Sequence, residues 1–284
     1  MVFRFRGCRF GSLLSVLALS SAFVAGCATV QTTSGGAVAV DRQQTMLVSA
    51  AEVNRSAEKA YRETLNEAQA KKLLNRDSVQ LQRVRAIAAR LIPATAVFRS
   101  DAPRWHWESN VIASKELNAW CMPGGKMAVY SGLIERLDVS DDELAAVMGH
   151  EIAHALREHG REKAGQAAGV SVAAAIGGVL IGSYFGIDAD IGQNVLGTVG
   201  DLAFMRPNSR EMEQEADRIG VELAARAGYD PHAAISLWQK MARASDNGIP
   251  QWLSTHPSHD SRIADLQVYA DRVMPLYIAA RKRR

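Results

Sequence analysis

The run His150-Glu151-Ile152-Ala153-His154 constrains this chain more than any other segment. On an α-helix, residues four apart lie about 40° apart around the axis. Both imidazoles therefore project to one side and can share a single metal ion. Glu151 falls on the adjoining face, where it reaches water at the metal without displacing it. Two histidine ligands with a glutamate general base is the arrangement that metal-assisted peptide hydrolysis uses. The required context is a helix. Ser140 and Glu143 form a capping box that opens one running towards Glu158.

A catalytic zinc site keeps three protein ligands and one open position. The metzincin spacing would need a glycine and a histidine where the chain has Arg157 and Gly160, so that class is excluded. His159 is one residue out of place and reads as a solvated helix-end residue. The third ligand must come from elsewhere, and the segment from Ser209 to Asp217 offers three glutamates. On a helix, Met212, Ala216, Ile219 and Leu223 form the buried stripe. Glu211, Glu215, Arg218 and Glu222 share one flank, where i,i+3 and i,i+4 charge pairs suit solvent. Glu213 lies on the other flank with Asp217, Gly220 and Ala224, whose small members permit close helix approach. This points to Glu213 as the ligand, with Asp217 one turn on as the acceptor for a metal-bound histidine.

The rest of the chain divides in three. A basic stretch from Arg4 to Arg9 precedes an apolar run from Leu13 to Val24, an export-signal pattern. Val24-Ala25-Gly26-Cys27 resembles the bacterial lipobox, which implies a signal peptide over residues 1–26 and a lipidated Cys27. Ala28, not aspartate, resembles the pattern sent onward to the outer membrane. Residues 28–40 carry no charge and read as a tether, leaving residues 41–284 as one domain. Of the 33 basic residues, three are Arg4, Arg6 and Arg9, and the remainder equals the 30 acidic ones. A balanced body lacks the basic stripe of a nucleic-acid binder. Three cysteines form no disulfide framework, and Cys121 reads as a small buried hydrophobe. Within the domain, residues from Asp41 to about Ile92 look helical, with Pro93 as the stop. Trp105 to Ile112, Leu117 to Met122 and Lys126 to Tyr130 look like strands, the last two joined by Pro123-Gly124-Gly125. Helices follow almost throughout.

The HExxH run followed by Ser209-Arg210-x-x-Glu213-x-x-Ala216-Asp217 resembles the zinc metallopeptidases of the HtpX, Oma and CAAX-prenyl-protease kind. Within that group, the chain resembles the bacterial envelope lipoprotein members, LoiP-like and BepA-like. Asn118-Ala119, Pro123-Gly124-Gly125 and Ser131-Gly132-Leu133 match the strand-turn-strand before the active helix of that family. Thr255-His256-Pro257-Ser258 with Arg262-Ile263 matches its later segment. The resemblance implies an α+β, mostly helical, zincin-like (gluzincin) fold with a small sheet beside the HExxH helix. It implies one Zn²⁺ per chain held by His150, His154 and Glu213, with Glu151 catalytic and with Asp217 and Arg262 behind the ligands. His256 is placed near the metal, as a plug that silences the site or as an oxyanion donor. A purely structural role beside Pro257 is the third option. His259 matches nothing in the family and reads as surface.

The strand from Leu117 to Met122, with Asn118 as its substrate-facing residue, would offer an edge on which a peptide adds as an extended strand. That mode favours unfolded chains with little side-chain selectivity. The expected function is a zinc endopeptidase on the periplasmic side of the outer membrane, lipid-anchored, acting on misfolded or unassembled envelope proteins. The alternative is a chaperone or assembly factor for outer-membrane proteins, with outer-membrane assembly machinery as partner and a latent, gated protease activity. The charge-free stretch Ala164 to Ile187 is long enough to span a bilayer but is interrupted by six glycines. It reads as a hairpin over the site or at a membrane or partner surface, as buried core, or as a true span.

Overall fold

The computed structural model describes residues 29–167, 169, 207–244, 251–256 and 261–283. Cys27, His259 and nearly all of the 164–187 insert lie outside the described residues. Among those described, no helix is long and apolar enough to cross a membrane.

Two short strands, β1 (Thr29–Val30) and β2 (Gln44–Thr45), pair antiparallel. Helix α1 covers Ala50–Ala70 and α2 covers Ser78–Ala94. Three strands follow, β3 (Glu108–Ile112), β4 (Ala119–Met122) and β5 (Lys126–Tyr130). Further helices among the described residues are α3 (Ser131–Arg136), α4 (Asp141–Leu156), α5 (Arg210–Arg226), α6 (Ala233–Ala244), α7 (Gln251–Thr255) and α8 (Arg262–Lys282). The architecture is mostly helical with a small sheet, as expected.

The long helical stretch expected from Asp41 to Ile92 is two helices. Between them Lys72 and Asn75 adopt positive φ, which ends one helix and turns the chain. Asn75 then binds β3, donating from its backbone to Val111 O and accepting the Val111 N–H on Oδ1. Pro93 does not stop α2 before it but sits in its last turn. The strand expected from Trp105 starts at Glu108, because residues 102–104 form a 3₁₀ turn and Trp107 N bonds back to Trp105 O.

The sheet order is β3-β5-β4, with β3 parallel and β4 antiparallel to β5. β4 is thus an edge strand, and it packs along α4. Helix α4 is central. Its capping box is present, with Ser140 Oγ accepting from Glu143 N and Glu143 Oε2 from Ser140 N. Every residue from Glu143 to Leu156 is buried, so the helix has no solvent face beyond its first turn.

The uncharged segment read as a tether packs on the body over part of its length. Val38 and Val40 join the core, and Thr33 is buried. Ser34 N donates to Phe98 O and Val38 N to Glu222 Oε2. The apolar valines contribute by leaving water, against the entropy of ordering the segment.

Candidate metal centre

Helices α4 and α5 meet at Gly149 and Gly220. A Cβ on Gly220 would lie 2.9 Å from His150 N, so only glycine permits this approach. The crossing brings Glu213 and Asp217, one turn apart on α5, against the two histidines of α4. His150, His154, Glu213 and His256 each offer one ligand atom, all within 4.8 Å of one another, and all four residues are buried. His154 Nε2 lies 3.0 Å from His150 Nε2 and 3.3 Å from Glu213 Oε1. His256 Nδ1 is 2.9 Å from Glu213 Oε1 and 3.2 Å from His150 Nε2.

The surroundings set the protonation of these groups. Burial works to raise the Glu213 carboxyl, but the His256, His150 and His154 rings outweigh it and hold it well below the usual carboxylate range. Burial pushes His154 well below its ordinary value. Burial presses on His150 too, yet Asp217 and Glu213 outweigh it and bring it up to about 9. A metal ion and a proton compete for His150, which couples metal binding to pH.

His150 Nδ1 lies 3.0 Å from Asp217 Oδ1, so a proton held there leaves the Nε2 lone pair aimed into the cluster. Two imidazole nitrogens and a carboxylate converging in a buried site form a donor set that suits a divalent transition metal such as zinc. Arg262 ties the rear of the site together, donating to Glu213 Oε2 at 3.0 Å and to Asp217 Oδ1 at 2.6 Å. Its guanidinium stacks 3.4 Å from the Trp238 ring centroid.

Glu151 points to the same region. Trp252 Nε1 donates to Glu151 Oε1 at 2.7 Å, and His256 Nε2 lies 3.5 Å from the same oxygen. Trp252 is fully buried between Trp238 and the His150 and His256 rings. Asn208 donates to Glu213 Oε1 at 2.7 Å. Sequence reasoning assigned neither residue to the site. Asn208 stands just before the Ser209 cap of α5 and Trp252 one turn before His256, but neither an amide nor an indole is a residue type that signals metal chemistry.

A cleft of about 440 Å³ opens beside the cluster, lined by Glu151, His154, His256 and β4. Asn118 borders it and is half-buried, its carbonyl accepting from Tyr130 N. Strand alternation then turns the backbone groups of Ala119 and Cys121 to the open edge. Cys121 is buried, and burial raises its thiol far above the ordinary range, which keeps it inert. Lys163 also lines the cleft. Burial lowers it to about 8 against the pull of Glu213 and Glu151.

Two expectations are corrected. His159 is not solvated but 1% exposed. The α4 helix ends at Leu156, and Glu158 takes a positive φ. That left-handed residue redirects the chain, which is helical again over residues 159–167, and returns His159 beneath His154. The flank of α5 assigned to solvent is also covered, since Glu215 and Glu222 are buried. The N-terminal segment lies over it. Arg42 binds Glu215, and the Val38 N–H binds Glu222.

A family profile described as Peptidase family M48 matches residues 78–270. The chain is 37% identical over 187 residues to Metalloendopeptidase OMA1, mitochondrial, of Bos taurus, covering 62% of this chain and 34% of that protein. It is 32% identical over 215 residues to Mitochondrial metalloendopeptidase OMA1 of Schizosaccharomyces pombe, covering 75% and 59%. It is 32% identical over 177 residues to Beta-barrel assembly-enhancing protease of Escherichia coli, covering 59% and 35%. The chain thus spans about a third of the length of the bovine and Escherichia coli relatives.

Proposed function

The chain belongs to peptidase family M48, and on that premise we propose that it is a zinc-dependent endopeptidase of the bacterial cell envelope. The observation that carries the activity is the buried group of His150, His154, Glu213 and His256, with Glu151 beside it at the cleft. His150, His154 and Glu213 would hold the zinc. When bound, zinc supplies a Lewis acid beside the scissile carbonyl. Glu151 takes a proton from the attacking water and passes it to the leaving amine. The Trp252 indole fixes that carboxylate for both transfers. The open edge of β4, next to Asn118, holds the substrate as an added strand through the main-chain groups of Ala119 and Cys121. Such binding suits unfolded envelope proteins.

The envelope assignment is supported by the lipobox-like Val24-Ala25-Gly26-Cys27 and by similarity to a protein named as a β-barrel assembly-enhancing protease. The reading is a lipid-anchored protein facing the periplasm from the outer membrane, with misfolded or unassembled envelope proteins as substrates. His256 lies inside the donor set, which favours a restrained enzyme. This leaves room for the second reading, an outer-membrane assembly factor with latent proteolysis.

The test is casein cleavage by the purified protein, with and without a zinc chelator, alongside Glu151→Gln. Wild type cleaves and the chelator abolishes cleavage. The variant keeps its zinc but does not hydrolyse casein. Undiminished cleavage by Glu151→Gln would remove Glu151 from its role.

A further inference from the structure

Each histidine of the α4 motif has a second ring nitrogen, and both nitrogens have partners. His150 Nδ1 meets Asp217 directly. His154 Nδ1 instead lies 2.7 Å from His159 Nδ1, and His159 Nε2 lies 2.9 Å from Glu215 Oε2. Glu215 accepts from Arg157 Nε at 3.0 Å and from Arg42 Nε at 2.6 Å. Arg42 also grips both oxygens of Glu162, at 2.7 and 2.9 Å. Arg157 is 0% exposed and Glu215 5%, so this chain of contacts runs through the interior.

We propose that His159 and Glu215 are positioning residues for His154, a two-step counterpart of the direct Asp217–His150 pair, with Arg42 and Arg157 fixing the outer carboxylate. The proposal rests on the reading of the cluster as a zinc site. The proton positions follow from the contacts. To ligate through Nε2, His154 carries its proton on Nδ1 and donates it to His159 Nδ1. His159 must then accept there, carry its own proton on Nε2 and donate to Glu215. If His159 held a proton on Nδ1, His154 would have to accept, leaving an N–H pointing at the other ligands. That arrangement is incompatible with metal binding. His159 and Glu215 thus select the tautomer that His154 needs, and the N-terminal segment carrying Arg42 becomes part of the support of the metal centre. Outer partners of this kind change metal affinity by about 10–100-fold.

Two variants separate positioning from bulk filling. His159→Phe keeps the ring volume but can neither accept nor donate. His159→Gln is smaller but offers both an acceptor and a donor. Zinc dissociation constants from competition with a chromophoric chelator should rise about 10–100-fold for His159→Phe, and clearly less for His159→Gln. If His159 only fills space, the order reverses. If His159→Phe binds zinc as tightly as wild type, the proposal is overturned. A measurement on unaltered protein stands beside this. Long-range proton–nitrogen NMR of the zinc-loaded wild type should find His159 protonated on Nε2 alone, and a proton on its Nδ1 overturns the proposal whatever the variants do. Failure of wild type to bind zinc at all would instead defeat the reading of the cluster, and the two failures are therefore distinct.

Discussion

Glu213 and Glu211 are two residues apart on α5, and their surroundings are opposite. Glu213 is fully buried among three imidazoles and Arg262, while Glu211 is exposed. Glu213→Ala should therefore lower the zinc content of the purified protein far more than Glu211→Ala. Equal metal in both variants would show that another group completes the site. Glu215→Ala is no surface control, because Glu215 is buried against His159, Arg42 and Arg157. His256 poses a different question at the same scale. Its ring touches Glu213 through Nδ1 and faces Glu151 through Nε2. A ring that plugs the open position silences the site, so His256→Ala should cleave casein faster and degrade itself. A fall of about 10²–10³-fold would mean instead that the ring donates to the oxyanion. Rates and self-cleavage equal to wild type would leave His256 a structural residue only.

At the scale of elements, the α4–α5 crossing sets the metal site. Gly149 and Gly220 let the two backbones approach so closely that a Cβ on Gly220 would sit 2.9 Å from the His150 amide. In an exposed helix, Gly→Ala gains about 1 kcal/mol. Here overpacking costs about 1–3 kcal/mol and outweighs that gain. Gly220→Ala should lower the melting temperature of the metal-free protein and weaken zinc binding, since the shift moves Glu213 away from His150 and His154. A variant that melts higher than wild type would show that the helices have slack at this point. The ends of α4 matter for the same reason. The Ser140–Glu143 box fixes where the helix starts, and the left-handed Glu158 fixes where the chain turns back with His159.

Across the whole molecule, a buried charge network joins the N-terminal segment to the centre. Burial raises the Glu215 carboxyl, but His159, Arg42 and Arg157 outweigh it and bring it down to about 2. A carboxylate whose folded pKa lies below its unfolded value of about 4.3 contributes stability above that value. That contribution is lost as pH falls from the unfolded value towards 2. Wild type should lose stability across that window, and Glu215→Gln should show a shallower loss when denaturant midpoints are compared from pH 5 to 2.5. Parallel curves for the two proteins would show that Glu215 does not couple folding to acid.

The local features of the site were legible because they are periodic. Spacing of four put His150 and His154 on one side of a helix, and the flanks of α5 separated Glu213 and Asp217 from the exposed Glu211. The capping box, the Pro123-Gly124-Gly125 turn and the strand of β5 are likewise written in neighbouring residues. What the sequence could not reveal is every contact between distant segments. Helical periodicity shows which residues share a flank, not what covers that flank. So Glu215 and Glu222 read as solvated until residues 33–44 were seen to lie over them. His159 read as a helix end, because a left-handed turn at a glutamate leaves no residue-type signal. Trp252 and Arg42 reach the centre by tertiary packing, while Asn208 meets Glu213 across the start of α5. Periodicity along one helix specified the chemistry that can meet there, and only burial against other segments decided which groups support it.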